Sequence, residues 1–282
     1  MDYVAPPRII AEAVQIASRK ARLSIVDMVI RGMLAGAFLA YATSLAIIVT
    51  AQGIAPVVGA ILFPAGFVML VLLGLELATG NFALLPMGAV ARKISGRAML
   101  RNWLWVYAGN LAGSLLYAVL FYLAITNCGT SDGGAIAATV RQIAQKKTLA
   151  YMSVGASGWS AALIKGVLCN WMVTVGVMLA LVSRSTIAKI AAMWLPIMTF
   201  FALGYEHSIV NMYVIPSGML LGAPISLRAW WFWNQLPVTM GNLVGGSLFT
   251  GLAMYLTHAP RAAPLQKPEA VLEPVLAGDR IA

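Results

Sequence analysis

Residues 73–88 and 203–218, in opposite halves of the chain, carry the same polar motif inside otherwise apolar sequence. Aligned with each other, LGLELATGNFALLPMG and LGYEHSIVNMYVIPSG share a Leu-Gly start, a Glu, an Asn, a Pro and a final Gly. The paired residues are Glu76 with Glu206, Asn81 with Asn211, and Pro86 with Pro216. Because Gly and Pro weaken or interrupt helices, the repeat predicts two related helix breaks, each with an embedded carboxylate.

The composition indicates an integral membrane protein. Hydrophobic residues make up 61% of the 282 residues and charged residues only 10%, whereas a soluble domain carries about 25% charged residues. Apolar runs of about 20 residues are long enough to cross a bilayer. The expected spans are 32–51, 55–91 (interrupted), 100–125, 158–182, 187–222 (interrupted) and 234–257. The sequence therefore predicts an all-α protein with six transmembrane helices, the second and fifth of them broken.

The two ends of the chain differ from this transmembrane domain of residues 26–257. Residues 1–25 lack the continuous apolar core of a cleavable signal peptide, and we expect an amphipathic helix lying at the membrane interface. Residues 258–282 are rich in Ala and Pro, and we expect them to form a disordered cytoplasmic tail.

The duplication continues beyond the first pair of motifs. NWLWVYAGNLAGSL, beginning at Asn102, matches NQLPVTMGNLVGGSL, beginning at Asn234. Each half therefore contains three spans, and since three is odd, the second half must cross the membrane upside down relative to the first. Such inverted repeats are typical of channels and transporters, in which broken helices line a cavity covered by protein or filled with water.

Particular residues are expected at the breaks. Thr79, Gly80 and Pro86 mark the first break and Gly204 and Pro216 the second, with Glu76, Asn81 and Asn211 beside them. A simple proline kink is the alternative for one copy. We expect Asn110 and Asn242 to hydrogen-bond the broken segments. The pairs Gly109-x₃-Gly113 and Gly241-x₃-Gly245 are typical of closely packed helices.

The basic residues are distributed unequally along the chain. Fourteen lie before the first span or after the second, fourth and sixth spans, against Arg141, Lys146, Lys147 and Arg228 on the other side. By the positive-inside rule, both termini are cytoplasmic in a cell membrane, and the loop of residues 129–151 faces outward. The net charge of +10 therefore reflects topology, and nucleic acid is not an expected partner.

Enzymatic and redox functions are disfavoured by the same sequence. Only two histidines are present, at unrelated depths, so a pair of haem ligands is absent and no cofactor or metal is expected. Ser208 directly follows His207, and neighbours in a helix do not face each other as a nucleophile and base must. Cys128 and Cys169 fall in a loop and a span, so they are not expected to form a disulfide.

With the motifs GYEHSIVNMYVIP, KGVLCNWMV and LATGN, the chain resembles the formate/nitrite transporter family over about residues 20–257. The resemblance implies a homopentamer of aquaporin-like protomers. Each protomer would have its own pore for a small monovalent anion such as formate, nitrite or hydrosulfide. Formate is favoured because these motifs are most similar to those of formate-type members. The paired Asn-Pro-Ala signatures of water and glycerol channels are missing.

The resemblance also assigns residues. His207 is similar to the central pore histidine, Glu206 to its neighbour, Asn170 to a polar partner from the fourth helix, and Thr79 to the threonine of the broken second helix. Phe63, Phe67, Val173 and Phe200 fall where family members have apolar constrictions; the alternative for the three phenylalanines is a lipid-facing position. The family's pore lysine would align with Val154, so Lys147 or Lys165 is expected to supply that charge.

A weak-acid anion offers a physical route through such a pore. Bringing a bare anion to the bilayer centre costs several kcal/mol, but desolvation favours the protonated acid, which avoids that cost. His207 is the natural proton partner, with a structural linker as the alternative. We expect Glu206 to hold the imidazole through a hydrogen bond to the backbone or a neighbour, because an unpaired carboxylate would repel the anion.

Overall fold

The computed structural model describes residues 2–259 and is all-helical over that range, apart from an isolated antiparallel bridge between Tyr3 and Ser183. The helices are α1 (Pro6–Ala21), α2 (Ile25–Ala51), α3 (Pro56–Leu62), α4 (Pro64–Leu72), α5 (Ala78–Val90), α6 (Gly96–Ile125), α7 (Gly134–Ser153), α8 (Ala156–Leu179), α9 (Thr186–Ala202), α10 (Ser208–Leu220), α11 (Leu227–Trp230), α12 (Leu236–Val244) and α13 (Ala253–His258). The π-helical stretches Trp231–Gln235 and Gly245–Leu252 connect the last three. The all-α prediction is confirmed for these residues, and the expected tail lies outside them from residue 260 onward.

Helix lengths and exposed surfaces agree with a membrane environment. Helices α2, α6 and α8 are each long and apolar enough to cross a bilayer, judged by length and composition. Leu104, Leu116 and Leu120 of α6 are exposed although apolar. Serine residues begin several helices, because a serine hydroxyl accepts one of the free backbone N–H groups of the first turn; Ser24, Ser95, Ser185 and Ser226 act in this way.

The predicted close packing of small residues is confirmed within the protomer. A Cβ atom added to Gly113 of α6 would lie 1.9 Å from the Met33 carbonyl oxygen of α2. In the second half, a Cβ atom on Gly245 would lie 2.2 Å from the Val167 carbonyl oxygen of α8. Only glycine allows these backbones to approach so closely.

The helix breaks lie slightly earlier in the chain than predicted. The first separates α4 from α5 at residues 73–77, and the second separates α9 from α10 at residues 203–207. Gly74 and Gly204 turn the chain with φ angles of 64° and 66°, which favour glycine.

The residues expected to mark the breaks mostly lie inside the helices that follow. Thr79, Gly80, Asn81 and Asn211 lie in the first turns of α5 and α10, and Pro86 and Pro216 lie inside those helices. Placing the breaks at these residues was therefore wrong, whereas Gly204 was placed correctly. Pro86 is tolerated because the Phe82 carbonyl, which a proline at this position cannot bond, accepts a hydrogen bond from the Ser247 hydroxyl at 2.8 Å.

Helix α7 corrects a second expectation. Residues 129–151 were predicted to be a loop, but most of them form this helix. Its buried side chains recur every three to four residues and are mostly small: Ala137, Val140, Ala144, Thr148 and Tyr151. Alanine gives a weak apolar signal, and two adjacent lysines on the same helix conceal the pattern. In the first half, α1 likewise buries a face rich in Ile and Ala against α5 and α13.

Candidate functional site

Two equivalent asparagines hold the broken segments, as predicted. Asn110 Nδ2 donates to the carbonyl oxygens of Gly32 (2.9 Å) and Glu76 (2.8 Å), and its Oδ1 accepts the N–H of Ala78 at 2.9 Å. The bonds to Glu76 and Ala78 satisfy backbone groups that the break removes from the helix, a requirement in the absence of water, and the bond to Gly32 ties the break to α2.

Asn242 repeats the arrangement in the second half. Its Nδ2 donates to the carbonyl oxygens of Gly166 (2.8 Å) and Glu206 (2.9 Å), and its Oδ1 accepts the N–H of Ser208 at 2.8 Å. The two breaks are therefore fixed by the same three contacts, which places corresponding residues of the two halves in corresponding positions.

A buried polar network flanks the first break. Lys20 Nζ lies 2.7 Å from Glu76 Oε1, and Asn81 Nδ2 donates to Glu76 Oε2 and to Asn102 Oδ1, both at 2.8 Å. Asn102 in turn donates to the carbonyl oxygen of Lys20 at 3.1 Å. The Glu76 side chain is only 3% exposed and that of Lys20 is 17% exposed, so the carboxylate is buried while the ammonium reaches the surface of the protein.

The second break has the same network. Lys147 Nζ lies 2.8 Å from Glu206 Oε2, and Asn211 Nδ2 donates to Glu206 Oε2 (2.8 Å) and Asn234 Oδ1 (2.9 Å). The hydroxyl of Tyr151 donates to Glu206 Oε1 at 2.9 Å, a contact with no counterpart at Glu76 among residues 2–259.

Of the two lysines considered from the sequence, Lys147 is the one that reaches Glu206. Val154, where the family's lysine would align, is exposed at the C-terminal end of α7. The Lys165 ammonium instead lies 5.5 Å from the centre of the Tyr151 ring.

Sequence reasoning missed four residues of these networks, namely Lys20, Asn102, Asn234 and Tyr151. The duplication offered a signal for the first three. Lys20, Glu76 and Asn102 follow one another along the first half in the same order, and at similar spacing, as Lys147, Glu206 and Asn234 along the second.

His207 is buried between the two broken helices, and its contacts differ from the expectation. Its Nδ1 accepts the N–H of Val210 at 3.2 Å, which caps α10, and its Nε2 lies 3.1 Å from the hydroxyl oxygen of Thr79. Because Nδ1 is an acceptor, the neutral ring carries its hydrogen on Nε2 and donates it to Thr79. Glu206 is hydrogen-bonded to neighbours, as expected, but these are Lys147, Tyr151 and Asn211, and its carboxylate has no hydrogen bond to the imidazole among the described residues.

Asn170 also lies at this centre but does not hydrogen-bond the imidazole. Its Nδ2 donates to the carbonyl oxygens of Thr79 (3.0 Å) and Asn242 (2.6 Å). Its Oδ1 is buried and has no hydrogen-bond partner among residues 2–259. Asn170 therefore joins the two repeats through their backbones and leaves one acceptor free.

The repeat symmetry fails at this centre. The alignment that pairs Glu76 with Glu206 also places Leu77 opposite His207 and Ile209 opposite Thr79. The polar pair is therefore present once, with apolar counterparts in the equivalent positions.

Aromatic side chains adjoin the imidazole. The ring of Phe200 stacks with its centre 5.9 Å from that of His207, and Phe63 meets Phe200 edge-on at 5.8 Å. Phe63, Phe67 and Phe200 are at most 2% exposed and Val173 is fully buried, which excludes the lipid-facing alternative. Their role as a constriction stays a prediction.

A cavity of about 540 Å³ leads inward from the Lys20 side. Its lining includes the basic residues Arg19, Lys20, Arg31 and Lys189 together with Glu76, and also Leu77 and Gly80, which flank Thr79 in the sequence. Phe67 also lines this Lys20 cavity. The cavity therefore combines basic side chains with apolar ones and includes the sequence neighbour of Thr79.

An all-helical chain with apolar exposed faces, two equivalent broken helices and a buried polar centre has the architecture of membrane channels and transporters. A profile described as Formate/nitrite transporter matches residues 7–256. The chain is 34% identical over 259 residues to the "Probable formate transporter" of Methanothermobacter thermautotrophicus, covering 86% of this chain and 93% of that protein.

Two solved structures have a similar fold. One, described as "FNT family ion channel", is 27% identical with a TM-score of 0.72, covering 89% of this chain and 98% of the other. The second, described as "Pentameric formate channel with formate bound", is 26% identical with a TM-score of 0.68, covering 83% of this chain and 97% of the other. The chain therefore belongs to the formate/nitrite transporter family, whose members are channels and transporters rather than enzymes.

Proposed function

We propose that this protein transports small monovalent anions of weak acids across a membrane, with formate as its main solute and proton transfer at His207. Relatives named for formate support this assignment. Each protomer has six transmembrane helices in two inverted repeats with an aquaporin-like arrangement. Five protomers assemble with one pore each, an assembly supported by the similarity to a pentameric formate channel. Nitrite and hydrosulfide are the alternative solutes on the same scaffold, and a neutral-solute channel is a remote one.

The same proposal places the protein in the cell membrane as a multi-pass protein with both termini in the cytoplasm. The basic lining of the Lys20 cavity supports this orientation, because Arg and Lys accumulate on the cytoplasmic side. Helix α1 then lies at the cytoplasmic interface with its apolar face against the protein.

The His207–Thr79 contact is the observation that carries the proposal. It joins the first turns of α5 and α10, so the N-terminal ends of two helices adjoin one buried point. Helix N-termini carry partial positive charge, which attracts an anion without adding a fixed charge to bind it permanently.

The contacts support an order of events for the solute. The anion is first attracted by a lysine beside one of the two breaks, Lys20 or Lys147, although each lysine is already paired with a glutamate. The apolar passage then strips water from the anion, which favours the protonated acid. Beside His207, the Thr79 hydroxyl accepts from Nε2. As the Thr79 hydrogen passes to the anion, the Nε2 hydrogen passes to Thr79 Oγ1, and a proton from the water on the entry side restores the neutral imidazole. The neutral acid crosses and releases its proton on the far side.

Uptake into proteoliposomes tests this proposal. Formate, nitrite, hydrosulfide and lactate are compared over about pH 5–7, where a carboxylic acid is ionised in water while proton supply changes about a hundredfold. The variants are His207→Asn and His207→Phe. Asparagine is a good N-cap, so it keeps the Val210 contact and the fold, but it cannot exchange a proton. We expect His207→Asn to lose net uptake or its pH dependence, and His207→Phe to block passage.

The outcomes separate the alternatives. If His207→Asn assembles normally and reproduces the wild-type rate and pH profile, His207 is a structural cap and proton coupling through it is wrong. If nitrite or hydrosulfide is taken up faster than formate, the solute assignment changes while the pathway stands. Size-exclusion chromatography of each variant in mild detergent checks assembly.

A further inference from the structure

Each break carries a second basic side chain, at equivalent positions. The N–H of Glu76 donates to the carbonyl oxygen of Arg31, and the N–H of Glu206 donates to that of Lys165, both at 3.4 Å. The glycine that follows each basic residue accepts from the bracing asparagine of its own half. Arg31 and Lys165 therefore hold the same position in the two repeats. Simple alignment of the breaks does not reveal this match, because the segment that joins the basic residue to the glutamate is longer in the first half.

These side chains add positive charge that the glutamates do not neutralise. Glu76 is paired with Lys20 and Glu206 with Lys147, so each carboxylate is already balanced. Arg31 lines the Lys20 cavity. Lys165 lies over the Tyr151 ring, and Tyr151 donates to Glu206, so Lys165 belongs to the corresponding region on the Lys147 side.

The two positions differ in their neighbours. Arg31 lies 3.3 Å from the carboxylate of Asp27, one helical turn earlier. Within residues 2–259, Lys165 has no carboxylate within 4 Å. Resting on the proposed anion transport, we infer that Arg31 and Lys165 are a matched pair of anion-capturing residues at the two mouths, and that Lys165 is the stronger because Asp27 masks Arg31.

The kinetics of Lys165→Met carry a specific signature. A charge at a mouth lowers the barrier for passage both in and out through that mouth. A passive pathway must have equal Vmax/KM in both directions, so removing the charge lowers this ratio equally for both. For solute that enters from the Lys165 side the change is a higher KM, and for solute that leaves by that side it is a lower Vmax. We expect a change of about two- to fivefold at low ionic strength that disappears near 1 M salt, where charges are screened within about 3 Å.

Asp27→Asn gives the complementary test, because it unmasks Arg31. It should lower KM for solute entering from the Lys20 side, again only at low salt. Lys165→Arg preserves the charge and should behave as wild type, and Met keeps the apolar stem over Tyr151 to protect the fold. Both directions are measured in vesicles of defined orientation with formate as solute.

The results distinguish this inference from the proposed function. The expected split of KM and Vmax, restored by Lys165→Arg, supports capture at Lys165. Wild-type formate transport with an unchanged Lys165→Met variant at low salt overturns the inference alone. A wild type that carries no monovalent anion overturns the proposed function and this inference with it. A variant that loses assembly is replaced by Lys165→Gln, to which the same criteria apply.

Discussion

Replacing Lys147 with Met should destabilise the protein by about 3–5 kcal/mol, because it leaves a buried carboxylate without its counter-ion. The Glu206 side chain is 4% exposed and that of Lys147 is 19% exposed, so the carboxylate that loses its counter-ion is almost fully buried. Tyr151 and Asn211 still donate to the carboxylate, which places the expected loss at the lower end of the range.

A double-mutant cycle with Glu206→Gln isolates the pair. Glutamine keeps one oxygen as an acceptor for Asn211, its amide group can donate to the Tyr151 hydroxyl, and it carries no charge. The double variant should therefore recover about 2–3 kcal/mol of the loss expected for Lys147→Met alone. Stability is measured as the free energy of reversible unfolding by SDS titration in mixed micelles, with assembly checked by size-exclusion chromatography.

The ion pair of Arg184 and Glu12 is a matched control within the chain. Its atoms lie 3.0 Å apart, but the Arg184 side chain is 65% exposed and that of Glu12 is 27% exposed. An exposed pair should show a coupling energy of at most about 1 kcal/mol. Equal coupling energies in the two cycles would refute the reasoning, because burial would then not determine the strength of the Lys147–Glu206 pair.

The remaining predictions concern selectivity, topology and the N-terminus. Phe200→Ala in the apolar region next to His207 should admit lactate, and unchanged selectivity in a well-assembled variant would remove the constriction assignment. Cys128 is an exposed free thiol, so a membrane-impermeant maleimide should label it in intact cells; labelling only after permeabilisation would reverse the topology. The Asp2 carboxylate accepts from the Ser183 hydroxyl, which holds the pKa of Asp2 below its ordinary value of 3.8. Because the pKa of Asp2 is lowered in the folded protein, the carboxylate stays ionised and keeps this contact over about pH 5–7, and the contact is lost only when the pH falls below the folded pKa. Asp2→Ala should therefore speed amide exchange at residues 183–185 and leave the transport profile over about pH 5–7 unchanged.

The sequence predicted the duplicated frame well because that frame depends on local identity. Glycine, glutamate and asparagine recur in matching positions of the two halves, and bracing by Asn110 and Asn242 follows from the need to satisfy backbone groups in an apolar setting. The interpretation of Pro86 was wrong because it, too, depended on local sequence alone. Proline was taken to interrupt the helix, but the Ser247 hydroxyl, distant in sequence, satisfies the carbonyl that Pro86 leaves free.

The contacts of the site were harder to predict because they join distant segments. The expectation that Glu206 fixes the imidazole of His207 rested on adjacency in sequence, whereas their side chains have separate partners, Lys147 and Thr79. Lys20 was counted only as a topology signal, since nothing local shows that the end of α1 reaches Glu76. Helix α7, which carries Lys147, was not predicted, because an alanine-rich buried face lacks the strong hydrophobic periodicity of larger side chains.

Packing excludes a second copy of one residue of the polar centre, Asn170. Extending the match of Arg31 with Lys165 along α2 and α8 places Gly36 opposite Asn170, and a Cβ atom at Gly36 would lie 2.2 Å from the Asn110 carbonyl oxygen. An asparagine therefore cannot stand in the first repeat without displacing the bracing residue of the first break. With Leu77 opposite His207, a solute in the proposed pathway meets hydrogen-bonding side chains at a single depth. A second polar layer would hold the desolvated anion by hydrogen bonds and reduce its tendency to take up a proton, so one polar centre between apolar side chains is the arrangement that favours passage as the neutral acid.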